Sequence, residues 1–128
     1  MIHLDTSFLI RVLVRGSAED KALRAWIRKT MPIAISALAW SEFLCGPVAP
    51  DGIELAAQLL GDPLAFGATE APAAAMLFNQ SGRRRGSLMD CMIAATAIEA
   101  GADLATANVR DFLRLERLGL RLIRLDQQ

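Results

Sequence analysis

Residues 2–10 read Ile2-His3-Leu4-Asp5-Thr6-Ser7-Phe8-Leu9-Ile10. Residues suited to a short buried strand lead into an acid, two hydroxyl residues follow, and an amphipathic helical pattern comes next. The reading is a strand ending before Asp5 and a helix capped by Thr6 or Ser7 and running to about Val14. Asp5 then stands at the carboxyl end of a strand, where open α/β sheets hold their ligands. No other acid precedes Glu19. An ionised carboxylate among apolar neighbours is costly unless it is paired or holds a metal.

The alternation continues outward from this stretch. Ser17-x-x-Asp20 is a capping box opening a helix that ends near Met31, before Pro32. Ile33–Ile35 is a short apolar strand, and Ser36 caps a helix through Leu44. Pro50-Asp51-Gly52 reads as a turn before a short helix, Ile53–Leu60. Leu64–Phe66 fits a third strand, and Thr69 caps an Ala-rich helix to about Gln80. Ser87 caps a long helix, Leu88–Ala100, after a polar loop. Leu104–Thr106 is a strand, Val109–Leu118 a helix and Leu120–Leu125 a closing strand. Short apolar strands alternating with helices predict an α/β fold. The expectation is one domain over residues 1–128, an α/β/α sandwich around a five-stranded, mainly parallel sheet.

Composition narrows the function classes. The chain has 128 residues, 53% hydrophobic and 22% charged, with formal net charge zero. Zero net charge gives no global pull toward nucleic acid. No apolar run reaches membrane-spanning length, and no segment has the make-up of a signal peptide, so a cytoplasmic protein with no membrane association is expected. Twelve Arg against two Lys suit bidentate contacts to phosphate or carboxylate. Cys45 and Cys91 lack metal-like spacing and read as reduced structural thiols. His3, the sole histidine, lies inside the first strand, so histidine-based catalysis is not expected.

Three isolated acids carry the chemistry. Glu42 is the only charged residue between Lys29 and Asp51, and it shares a helix face with Leu38, Ala39 and Cys45. Asp90 is the only one between Arg85 and Glu99, on a face continuing through Ile93, Ala94 and Ala97. Ser87-x-x-Asp90 is also a capping box, and that reading stands beside the first. Asp5, Glu42 and Asp90 each follow a predicted strand closely, which puts them on one edge of a parallel sheet. Carboxylates crowded there repel one another unless a cation neutralises them. Oxygen donors without His or paired Cys select hard ions, Mg²⁺ or Mn²⁺, whose shells are commonly completed by substrate phosphate. Asn108 and Asp111, after another predicted strand, either join the cluster or serve as an N-cap and a first-turn acid. Arg83-Arg84-Arg85 is either a contact for phosphates or a solvated basic loop.

Asp5-Thr6-Ser7, Glu42, Asp90 with Ile93-Ala94-Ala95, and Thr106-x-Asn108-x-x-Asp111-Phe112 occur in an order and spacing that resemble a PIN domain. At this length the chain is similar to the toxin ribonucleases of VapBC toxin–antitoxin modules. The resemblance implies that Asp5, Glu42 and Asp90 hold one or two Mg²⁺ or Mn²⁺ ions and that metal-activated water hydrolyses RNA. It implies a supporting role for Thr6, a homodimer, and a cognate VapB-like antitoxin that blocks the site. The chain departs from the family where a fourth acid often stands: it has Asn108, with Asp111 three residues later. Two other readings stand beside this one. A phosphoacceptor signalling domain needs a late Lys, and no Lys follows Lys29. A catalytically decayed PIN-like module would act only through a protein partner, and Asn108 motivates it.

Overall fold

Ile2, His3 and Leu4 are all buried. Because alternate strand residues face opposite sides, this strand is covered on both faces, as in parallel sheets flanked by helices. A computed structural model describes residues 1–125; the last three residues of the expected domain lie outside the described residues. In chain order the elements are β1 (Ile2–Leu4), α1 (Thr6–Val12), α2 (Ala18–Arg28), β2 (Ile33–Ala34), α3 (Ala37–Cys45), α4 (Pro50–Leu60), α5 (Glu70–Gln80), α6 (Leu88–Glu99), β3 (Asp103–Ala105) and α7 (Val109–Phe112), followed by a 3₁₀ helix, Leu113–Leu118.

The α/β class holds, but the expected five strands are three, in the order β2-β1-β3 and all parallel. The two outer segments make single bridges, Leu64 beside Ser36 and Leu122 beside Leu104. The reason is geometric. Backbone groups along a strand point alternately to its two neighbours, and β3 is three residues long. Asp103 and Ala105 face β1, so only Leu104 turns outward, donating to Arg121 O at 2.8 Å and accepting from Ile123 N at 2.9 Å. On the other side Leu64 bonds Ile35 O and Ala37 N, and there the chain enters α3, leaving nothing further to pair.

Several helix ends also differ from expectation. Pro50 is not in a turn; it opens α4 at the first helical position, where its fixed φ and missing N–H do no harm. α2 ends at Arg28, close to Thr30, which has a φ of +56°. The Ser17 cap forms, accepting from Asp20 N at 3.0 Å, but Asp20 turns its carboxylate to Gly16 N instead of Ser17 N.

The core runs between the helices and the sheet. Phe8 stacks on Trp26 with ring centroids 5.5 Å apart, tying α1 to α2. α6 buries Cys91 and every residue from Ile93 to Ala97, and it packs most extensively against α5. Its small residues let neighbouring backbone approach closely. Both cysteines are free, Cys91 buried and Cys45 exposed. Among the described residues no helix is long and apolar enough to cross a membrane.

Candidate active site

β1 is the switch strand of the sheet, with β2 on one side and β3 on the other. Open α/β sheets bind ligands in the crevice beyond the carboxyl ends of such strands. Asp5 occupies that position. It is extended, and its carbonyl accepts from Phe8 N and Leu9 N at 3.1 Å, so it opens α1 through its backbone alone. Its N–H donates to Ala105 O at 2.9 Å, continuing the β1–β3 ladder. The expected cap by Thr6 or Ser7 is therefore corrected: Asp5 is the cap residue, and both hydroxyls are released for other work.

That work is to hold carboxylates. Asp5 is 5% exposed, and its Oδ2 accepts from Ser7 Oγ and from Thr106 Oγ1, both at 2.8 Å. Each hydroxyl has one proton, so the 3.1 Å approach of Ser7 Oγ to Thr106 Oγ1 follows from their sharing an acceptor. The same hydroxyl oxygens accept from the backbone of the β3–α7 loop: Ala107 N reaches Ser7 Oγ and Asn108 N reaches Thr106 Oγ1, each at 3.0 Å. Both hydroxyls converge on Oδ2, leaving Oδ1 free of them. Thr6 Oγ1 has Ala39 O at 2.9 Å and Glu42 Oε1 at 3.1 Å, which links α1 to the backbone and the acid of α3.

Asp90 lies half-buried in the first turn of α6. The expected Ser87–Asp90 capping box is absent. The Ser87 hydroxyl instead donates to Arg84 O at 2.7 Å and makes no cap bond. Asp90 carries the most informative electrostatics: its pKa is pushed up to about 6, first by burial, then by the negative charges of Asp5, Asp111 and Glu42, against an opposing pull from Arg114. The four acids therefore feel one another across α1, α3, α6 and α7.

The remaining candidates separate. Asp111 is exposed in the first turn of α7, within reach of Asp90. Asn108 takes the N-cap position of α7, but its side chain makes no cap bond. Arg84 and Arg85 line a cavity of about 220 Å³ together with Asp90, Asp111 and Arg114. Arg83 does not: its guanidinium bonds Asn79 Oδ1 and sits 5.3 Å above the Phe78 ring.

Sequence reasoning passed over two residues. Thr106 was a motif position without a role, although a hydroxyl at a strand end mirrors Thr6 and Ser7 beside β1. Arg114 carries one signal in the sequence, its spacing of three residues from Asp111, one turn on. Among the described residues, no three His, Cys, Asp or Glu side chains form a ready-made metal-binding group.

The PIN domain family model matches residues 2–118. No curated protein matches the sequence. Solved structures similar to the chain include VapBC2 from Rickettsia felis bound to a DNA fragment from their promoter, at 24% identity, covering 96% of this chain and 98% of that one, with a TM-score of 0.78. A toxin–antitoxin complex from Klebsiella pneumoniae has 22% identity, 98% coverage of each chain and a TM-score of 0.75. VapBC-1 from nontypeable Haemophilus influenzae has 21% identity, 98% and 99% coverage, and a TM-score of 0.72. At these identities the likeness shows a shared fold.

Proposed function

The chain belongs to the PIN domain family, and on that premise we propose that it is a divalent-metal-dependent ribonuclease, the toxin of a VapBC-type toxin–antitoxin module. The observation that carries this reading is the state of Asp90. Burial first, and then the negative charges of Asp5, Asp111 and Glu42, raise its pKa to about 6, and a half-buried site that gathers carboxylates from four elements is one suited to a cation. The solved toxin–antitoxin complexes of the same fold support a VapB-like antitoxin as partner. A homodimer in the cytoplasm belongs to the same reading.

The residues fit a hard divalent ion in donor chemistry. All are oxygens, and the only histidine, His3, is buried in β1 away from such a role. Asp5 and Asp90 would be the principal ligands, and Glu42 would complete the set or orient water. Asn108 and Asp111 would tune the outer part of the site. Mg²⁺ or Mn²⁺, when bound, supplies Lewis acidity at the phosphate and lowers the pKa of its water.

The chain's own residues do the rest. Ser7 and Thr106 hold Asp5 by bonding one of its oxygens and leaving the other, and partners that orient a ligand in this way tune metal sites. Thr6 steers Glu42 in the same way. The neighbouring Arg84 and Arg85 can neutralise backbone phosphates of RNA.

The deciding experiment is cleavage of total RNA by antitoxin-free protein in Mg²⁺, Mn²⁺ or EDTA, with Asp90→Asn in parallel. Discrete fragments that require metal and vanish in the variant uphold the reading. Folded protein that cuts nothing with either metal, and binds neither, supports the second reading, a decayed PIN-like module acting through a protein partner. That reading is favoured by Asn108, which stands where the family often has a fourth acid.

A further inference from the structure

The cavity next to Asp90 has an unbalanced lining: Arg84, Arg85 and Arg114 share it with Asp90 and Asp111. Three cations meet two anions. Arg114 is the informative member. Its Nη1 donates to Asp111 O at 3.0 Å, and its Nε is buried with no hydrogen-bond partner among the described residues. A buried charged donor left unpaired costs free energy. Held by the Asp111 backbone at the cavity wall, Arg114 brings its positive charge to the space beside Asp90.

The loop that supplies the other two is fixed by its own backbone. Arg83 sits at φ +52° and donates its N–H to Phe78 O at 3.0 Å, which ends α5. Its side chain stacks on Phe78. The carbonyl of Arg84 is gripped by both the N–H and the hydroxyl of Ser87, at 3.1 and 2.7 Å. The triplet thus splits: Arg83 anchors the loop, while Arg84 and Arg85 are delivered to the cavity. No aromatic side chain lines this cavity, so it lacks the stacking platform that proteins use to hold bases.

We propose that Arg84, Arg85 and Arg114 form a subsite for an RNA backbone phosphate next to the carboxylates, which anchors the strand without reading its sequence. The proposal rests on the ribonuclease reading and assigns Arg114 as a substrate-binding residue. The anchored phosphate would neighbour the one that is cut, and Arg114, tied to the Asp111 backbone, would keep the spacing between the two constant.

The test is binding of a fluorescent single-stranded oligoribonucleotide to the full, antitoxin-free chain in EDTA, where nothing is cut, across a series of KCl concentrations. Arg114→Gln and Arg85→Gln should each weaken binding roughly tenfold. Each should also flatten the slope of log affinity against log salt by about 0.7, the value for one phosphate contact on a single strand. The losses should be equal for oligonucleotides of different sequence, and Arg83→Gln should change the slope least. In Mg²⁺ the same two variants should raise KM far more than they lower kcat. Arg85 is exposed, so its variant carries the test if Arg114→Gln unfolds. Unchanged affinity and slope in the folded variants would overturn the subsite, as would wild-type binding that does not depend on salt. Metal-dependent cleavage by the wild type judges the ribonuclease reading separately, so the two failures are distinguishable.

Discussion

Thr106 Oγ1 donates to Asp5 Oδ2 at 2.8 Å across 101 residues of chain. It closes the crevice between β1 and β3 with a charge-assisted bond, the stronger class of hydrogen bond. Thr106→Val keeps the shape and removes the donor. It should cost about 1–2 kcal/mol of stability and reduce RNA cleavage roughly 10- to 100-fold, as loss of a residue that orients a metal ligand does. Thr106→Ser should restore most of both. Thermal melting and initial cleavage rates check this, and an equal loss in Val and Ser variants would show that the methyl group, not the hydroxyl, matters.

Asp90→Asn should raise the melting temperature of metal-free protein at neutral pH by a few degrees while abolishing cleavage. The sign follows from the pKa. The carboxyl titrates at about 6 in the folded chain against an ordinary 3.8. Between those values the folded state binds more protons, so wild-type stability falls as pH rises through the window. Asn is exempt from that loss. The advantage of the variant should therefore vanish below about pH 4.

Divalent metal should compete with the same proton. With Asp90 titrating near 6, lowering the pH from 7.5 to 5.5 should weaken Mg²⁺ or Mn²⁺ binding about fourfold, because ligands bind deprotonated. Calorimetric titration at the two pH values measures it. In Asp90→Asn the pH effect should disappear along with most of the affinity.

His3 predicts acid sensitivity of the opposite sign. The ring is 2% exposed, neither nitrogen has a partner among the described residues, and burial, then the positive amino terminus, push its pKa below 6.5. The unfolded chain accepts a proton that the folded one resists. Stability contributed by neutral His3 is therefore present above about 6.5 and is lost as pH falls below it. His3→Phe, placed in an Asp90→Asn background to remove the opposing trend, should flatten the melting temperature between pH 7 and pH 5.

The α/β class and the position of Asp5 were legible because both rest on local chemistry: apolar residues, then an acid, then hydroxyls. The strand count was not. Leu64–Phe66 and Leu120–Leu125 have strand composition, but pairing depends on how much outward-facing backbone a neighbour offers, and Leu104 offers one residue. Ser87-x-x-Asp90 looked like a capping box because spacing cannot say that Arg84 O would take the hydroxyl first. Pro50-Asp51-Gly52 has the composition of a turn, but proline also suits the first residue of a helix, and α4 uses it so. The three basic residues 83–85 were alike in sequence, and only the backbone turn at Arg83 separates them. Arg114 was hidden because its significance lies in what it faces, not in its neighbours along the chain.

The order β2-β1-β3 also has a consequence in time. A ribosome delivers Ile2–Leu4 about a hundred residues ahead of Asp103–Ala105, an interval of roughly 5 to 20 seconds at ordinary rates of synthesis. Through that interval the central strand has no β3 to pair with, and Asp5 has neither Thr106 nor the β3–α7 loop beside it. The acids of the site therefore cannot assemble until Asp103–Ala105 and the loop that follows it have been made, so the oldest part of the site waits for its youngest.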